Sequence, residues 1–142
     1  MGWLSTRSRL SQPGRMRLVF LIIAICSFGV TEFGRHVYRP WAYARGLNDL
    51  GLADSIGNLG GIVVQVFFTI AVLNATRAQS FRWAAFLSLG YVAYEFVQPY
   101  LPKGVFDWRD VAATGLGYCV CLLVLWVTWS TMDAGRQVDS GS

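Results

Sequence analysis

Four stretches of this chain are about the length that a helix needs to cross the hydrocarbon core of a bilayer, roughly 20 residues. They are Arg17–Gly34, Ser55–Ala75, Phe81–Pro99 and Asp110–Ser130, and each is strongly apolar. In lipid no water is present to satisfy free backbone groups, so such runs fold as helices. The expected fold class is therefore all-α: a polytopic membrane protein with four transmembrane helices arranged as two helical hairpins. Composition agrees, since 54% of the 142 residues are hydrophobic and only 14% are charged. A soluble domain carries about a quarter charged residues. The expected organisation is an N-terminal tail over 1–16, one membrane domain over 17–130 and a C-terminal tail over 131–142.

The purest apolar stretch, LVFLIIAICSFGV from Leu18 to Val30, follows Arg15 and Arg17 and so resembles a secretory signal. No A-x-A-like site follows it, and bulky Ile25 stands where a lipoprotein cleavage box needs a small residue. The first span is read as retained. Between spans, Pro40, Gly46 and Gly51 mark a long loop from about Arg35 to Asp54. A short polar turn, Thr76–Ser80, joins the second span to the third, and Tyr100–Arg109 joins the third to the fourth.

The net charge of +4 does not suggest nucleic acid, because the basic residues bracket the apolar runs. Arg7, Arg9, Arg15, Arg17, Arg77, Arg82 and Arg136 fall on the side of the tails. Arg35, Arg39, Arg45, Lys103 and Arg109 fall on the other. The bias favours both termini in the cytoplasm, with the protein multi-pass in the plasma (inner) membrane.

Acidic residues gather on the opposite side from the tails. The first span ends in EFGR, Glu32–Arg35, and the third in EFVQ, Glu95–Gln98. The second opens with DSIGNLGG from Asp54 and the fourth with DVAATGLG from Asp110. In each opening a polar residue follows the Asp by four positions (Asn58, Thr114) and a Gly by seven (Gly61, Gly117), a spacing that shares one helix face. The echo suggests a parallel internal repeat. With or without it, Glu32, Arg35, Asp54, Asn58, Glu95, Gln98, Lys103, Asp107, Arg109, Asp110 and Thr114 should cluster near one membrane face. Tyr91, Glu95 and Gln98 form a polar stripe on the third span, and a carboxylate there needs a partner; Arg109 and Lys103 are the candidates. Asp54 and Asp110 are placed to cap their helices. Gly57, Gly61, Ala113 and Gly117 have the spacing that lets helices approach closely. Trp83, Trp108, Trp126 and Trp129 read as interfacial anchors.

The run Glu95, Gln98, Pro102, Lys103, Phe106, Asp107, Asp110, Thr114, Gly117 resembles the VanZ-like family of small integral membrane proteins. It follows that family's order of E-x-x-Q, proline, a basic residue, F-D-x-x-D, a polar residue and glycine. Asp54 resembles the acidic residue that opens an upstream helix there. The chain departs from the pattern with Lys103 and Gly104 where the family usually has Arg, Thr114 in place of Asn, and Asn58 at a His-like position. The resemblance implies a cell-envelope protein associated with teicoplanin resistance. It supplies no catalytic residue.

Three kinds of function follow. The first is a non-enzymatic protein that binds a lipid headgroup or an amphiphilic glycopeptide through the polar cluster. The second is a membrane-embedded enzyme acting on a lipid-linked substrate, with Glu95 and Asp110 as acid and base. The third is a small transporter, for which four helices are thin and a homo-oligomer is expected. No Ser–His or Cys–His pattern, metal-ligand spacing or phosphate-binding loop is present, so no cofactor or metal is expected. Cys26, Cys119 and Cys121 read as apolar packing residues, and His36 has no ligand partner nearby in sequence.

Overall fold

The structure, a computed structural model, describes residues 14–102 and 104–139, with side chains through residue 132. All regular structure among these residues is helical. The elements are α1 (Gly14–Phe33), a π-helical turn (Gly34–Tyr38), α2 (Arg39–Ala44), α3 (Leu52–Val72), α4 (Arg77–Val97), a 3-10 turn (Gln98–Tyr100) and α5 (Trp108–Asp139).

The expected loop from Arg35 is largely helix. Pro40 has no N–H to donate and crowds the preceding turn. The chain absorbs this by widening, and the Arg39 N–H bonds back to the Gly34 carbonyl. Gly14–Ala44 therefore runs as one 31-residue helix. At the other end, α5 continues to Asp139 through the stretch expected to be a C-terminal tail. Residues 131–139 contain no proline and a single glycine, so nothing in them stops the helix. The remaining tail residues and Lys103 lie outside the described residues.

The helix caps also differ from expectation. Asp49, not Asp54, caps α3: its carboxylate accepts the Gly51 N–H at 3.1 Å and the Ala53 N–H at 2.9 Å. Gly51 enters the helix at φ 87, a left-handed conformation that suits glycine. Asp107, not Asp110, caps α5, accepting the Arg109 N–H at 2.8 Å. Each helix begins earlier than the apolar pattern suggests, so Asp54 and Asp110 fall inside the first turn, with their side chains released for other contacts. At α4, Thr76 and Gln79 form a reciprocal capping box.

α3 is the hub, packing on α1, α5 and α4. Phe20 of α1 stacks on Phe67 of α3 at 5.5 Å, and the core continues through Ile62, Val66, Ile70, Cys121 and Leu125. Gly60 lies against Thr31 of α1, and Gly117 against the Leu59 carbonyl and Ile62 of α3. Gly34 meets Ile56, while Asn58 meets Glu95 and Gly61 meets Tyr91. These pairings make α1 and α4 antiparallel to α3, and α5 parallel to it. The C-terminal ends of α1 and α4 thus lie at the same end of the bundle as the N-terminal ends of α3 and α5. Trp129 is 6% exposed and belongs to the core, contrary to its reading as an interfacial anchor; Trp108 and Trp126 are exposed.

Among the described residues three helices are long and apolar enough to cross a membrane: Gly14–Ala44, Leu52–Val72 and Trp108–Met132. Their outward side chains include Leu18, Ile22, Ile25, Phe68 and Leu123, an exterior compatible with lipid as solvent. α4 has a similar length, 21 residues, but Arg82, Ser80, Ser88 and Glu95 make it more polar.

Two predictions follow from this packing. A methyl group on Gly117 meets backbone, whereas one on Gly115 meets nothing within 4 Å. Gly117→Ala should lower stability by about 1–3 kcal/mol. Gly115→Ala should be neutral or gain up to about 1 kcal/mol in helix propensity. Thermal unfolding of the two variants in the same detergent compares them. The second concerns Asp49. Burial alone would raise its carboxyl, but hydrogen bonds from the Ala53 N–H, the Tyr38 hydroxyl and the Gly51 N–H outweigh this and hold it below its ordinary value. A depressed carboxyl stabilises the fold above its unfolded value and loses that contribution as pH falls through the folded one. Amide protection factors in the first turn of α3, corrected for the intrinsic pH dependence of exchange, should therefore fall in acid, and Asp49→Asn should remove this fall.

Candidate functional site: a buried polar cluster

At the end of the bundle where these termini meet, α3, α4 and α5 enclose a group of polar side chains. Glu95 is only 2% exposed. The Asn58 Nδ2 donates to its Oε1 at 3.3 Å, and the Gln98 side chain lies beside it. Its Oε2 has no hydrogen-bond partner. Across from it on α5, the Asp110 carboxyl faces Ser55 and Asn58 and interacts electrostatically with Glu95. Asp110 Oδ1, Ser55 Oγ and Thr114 Oγ1 are also buried without a hydrogen-bond partner. Helical spacing produces the convergence, since Ser55 and Asn58 are three apart on α3, and Asp110 and Thr114 four apart on α5.

Three other helical hydroxyls are satisfied within their own helix. Thr31, Ser80 and Thr128 each donate to the carbonyl four residues back, at 2.7 to 2.9 Å. That local bond is the usual way for a helical hydroxyl to satisfy itself. Ser55 and Thr114 are buried and do not make it, nor does Ser88 of α4.

No described cation compensates the cluster. The ion pairs among the described residues are Arg35–Glu32 at 3.5 Å, His36–Glu32 at 3.0 Å and Arg39–Asp54 at 2.9 Å. The Arg109 side chain lies over Gly51 instead of reaching Glu95, and Lys103 is not described. A buried carboxylate without a compensating charge costs several kcal/mol. Such a cost points to function more strongly than to stability.

The expected site residues divide into three groups. Asn58, Glu95, Gln98, Asp110 and Thr114 come together in the buried cluster. Asp54 sits on its rim, paired with Arg39 and the Tyr43 hydroxyl, while Asp107 is engaged as a cap. Glu32 pairs with both Arg35 and His36, away from the cluster. Two open clefts flank α3. One, of about 420 Å³, lies between α3 and α4 and is lined by Asn58, Gln65, Phe86, Leu87, Tyr91 and Tyr94. The other, of about 370 Å³, is lined in part by Glu32, Arg35, Gly57, Gln65 and Tyr91. Among the described residues no group of three or more His, Cys, Asp or Glu side chains could hold a metal ion.

Sequence reasoning missed Ser55 and Asp49. Ser55 carried a usable signal, because its three-residue spacing to Asn58 puts both on one helix face. Asp49 carried a weaker one, as an Asp in a glycine-flanked turn before an apolar run. Comparison of the chain with protein-family models, curated proteins and solved structures finds no match.

Removing the Asn58 donor to Glu95 should be costly. Asn58→Leu deprives the buried Oε1 of this bond and should destabilise the protein by about 1–3 kcal/mol. Glu95→Gln keeps the shape, removes the unpaired charge and should stabilise it. Unfolding midpoints of the two variants should move in opposite directions.

Proposed function

We propose that this chain is a four-span, VanZ-like protein of the plasma membrane that binds the polar head of an amphiphile at the outer face. α4 is its fourth span, and both termini are cytoplasmic. One observation carries the reading: Glu95, 2% exposed, keeps an unpartnered oxygen among Ser55, Asp110 and Thr114, beside a cleft between α3 and α4. Unpaired polar atoms that cost stability and lie next to an apolar groove suit a ligand with a polar head and an apolar body. The order of residues from Glu95 to Gly117 supports the VanZ-like assignment. The amphiphile is a membrane lipid or a lipoglycopeptide such as teicoplanin.

The test is a susceptibility panel in a Gram-positive host. It compares wild type, Glu95→Gln and Asp110→Asn at matched membrane levels against teicoplanin and vancomycin. Wild type should shift the teicoplanin response several-fold and leave vancomycin, which has no acyl tail, nearly unchanged. Both variants should lose the shift. An unchanged teicoplanin response in wild type removes the glycopeptide branch. A full shift in both variants removes the cluster as the site.

A further inference from the structure

Resting on that reading, we infer that the group recognised at the cluster is a primary ammonium, placed between Glu95 and Asp110, with the ligand's apolar body in the α3–α4 cleft. The unpartnered atoms within the cluster are all oxygens: Glu95 Oε2, Asp110 Oδ1, Ser55 Oγ and Thr114 Oγ1. Two of them belong to carboxyl groups close enough to interact, so the site is acidic as well as rich in acceptors. An anionic phosphate would add repulsion to two carboxylates that have no described cation beside them. An ammonium instead brings one positive charge and three N–H donors.

Two features set the direction of approach. The Asn58 side chain lines the cleft and also donates to Glu95, so it stands between the groove and the buried carboxyl. Its contact with Glu95, at 3.3 Å, is long for a hydrogen bond. Rotation of this amide opens Glu95 to the groove and leaves the arriving N–H groups to replace it. The cleft supplies the aromatic rings of Tyr91, Tyr94 and Phe86 along the route, and ring faces attract a cation. Leu87 and Gly90 add apolar wall for a hydrocarbon chain. A primary amine fits this arrangement better than a quaternary one, because only the former donates hydrogen bonds to the orphaned oxygens.

The experiment uses the full chain in neutral detergent, with binding followed by native mass spectrometry. Three lysolipids of one acyl chain are compared: lysophosphatidylethanolamine, lysophosphatidylcholine and lysophosphatidylglycerol. All carry a phosphate, and they differ in a primary ammonium, a quaternary ammonium and a neutral diol. The expected result is binding of the ethanolamine lipid about tenfold tighter than either of the others, the scale of one charge-assisted contact. Glu95→Gln and Asp110→Asn, each shown to keep the wild-type unfolding midpoint or a higher one, should abolish the preference. Equal affinity for all three lipids overturns the ammonium inference while leaving an amphiphile-binding protein. Absence of binding by any of them overturns the amphiphile reading itself. Competition with free ethanolamine separates the sources: displacement assigns the site to soluble amines, and persistence of the lysolipid assigns it to a lipid headgroup.

Discussion

Close contact between α3 and its two neighbours positions everything else in this molecule. Gly60 lets Thr31 of α1 lie against the α3 backbone, and Gly117 lets α5 approach the Leu59 carbonyl. Where lipid is the solvent, apolar burial gives little net drive between helices, and association relies on dispersion at close range. Small residues supply that range. With α1 and α5 held on opposite sides of α3, α4 closes against α3 and α5, and the polar residues near the ends of three helices are brought into one buried space.

The cluster is consistent with a division of labour along the chain. Asp49 and Asp107 satisfy helix N-termini, and Arg39 neutralises Asp54 at the rim. Each is an acidic group with a structural partner. Glu95 and Asp110 lack one of comparable quality, although the same chain satisfies the Thr31, Ser80 and Thr128 hydroxyls locally and pairs Glu32 with both Arg35 and His36. Buried polar groups are normally hydrogen-bonded, so the exceptions carry information, and four of the seven among the described residues converge on one place. Their spacing on α3 and α5 puts them on the faces that meet.

Much of this was legible beforehand. Apolar runs of membrane-crossing length announced helices, and three meet that standard in the structure. The helical spacing of Asp110 with Thr114 announced a shared face. Other features were illegible for identifiable reasons. Pro40 looked like a stop, but a π-helical turn removes the clash, and such a turn has no strong sequence signature. Asp54 and Asp110 looked like caps because the apolar pattern starts just after them; the helices begin two residues upstream, at Leu52 and Trp108, where Asp49 and Asp107 accept the free N–H groups. Glu32 and Glu95 looked equivalent, yet one is partly exposed and paired and the other is buried.

The sequence by itself determined that this chain is helical and apolar, and that its acidic residues lie near helix ends. Length, hydropathy and periodicity are local properties, and each residue run expresses them without reference to the others. Only the tertiary structure decided which of those acidic residues is buried, which is capped or paired, and which oxygens are left without a partner. Those outcomes depend on the register and distance between helices. The glycines at the α1–α3 and α3–α5 contacts set them, and no single helix contains that information.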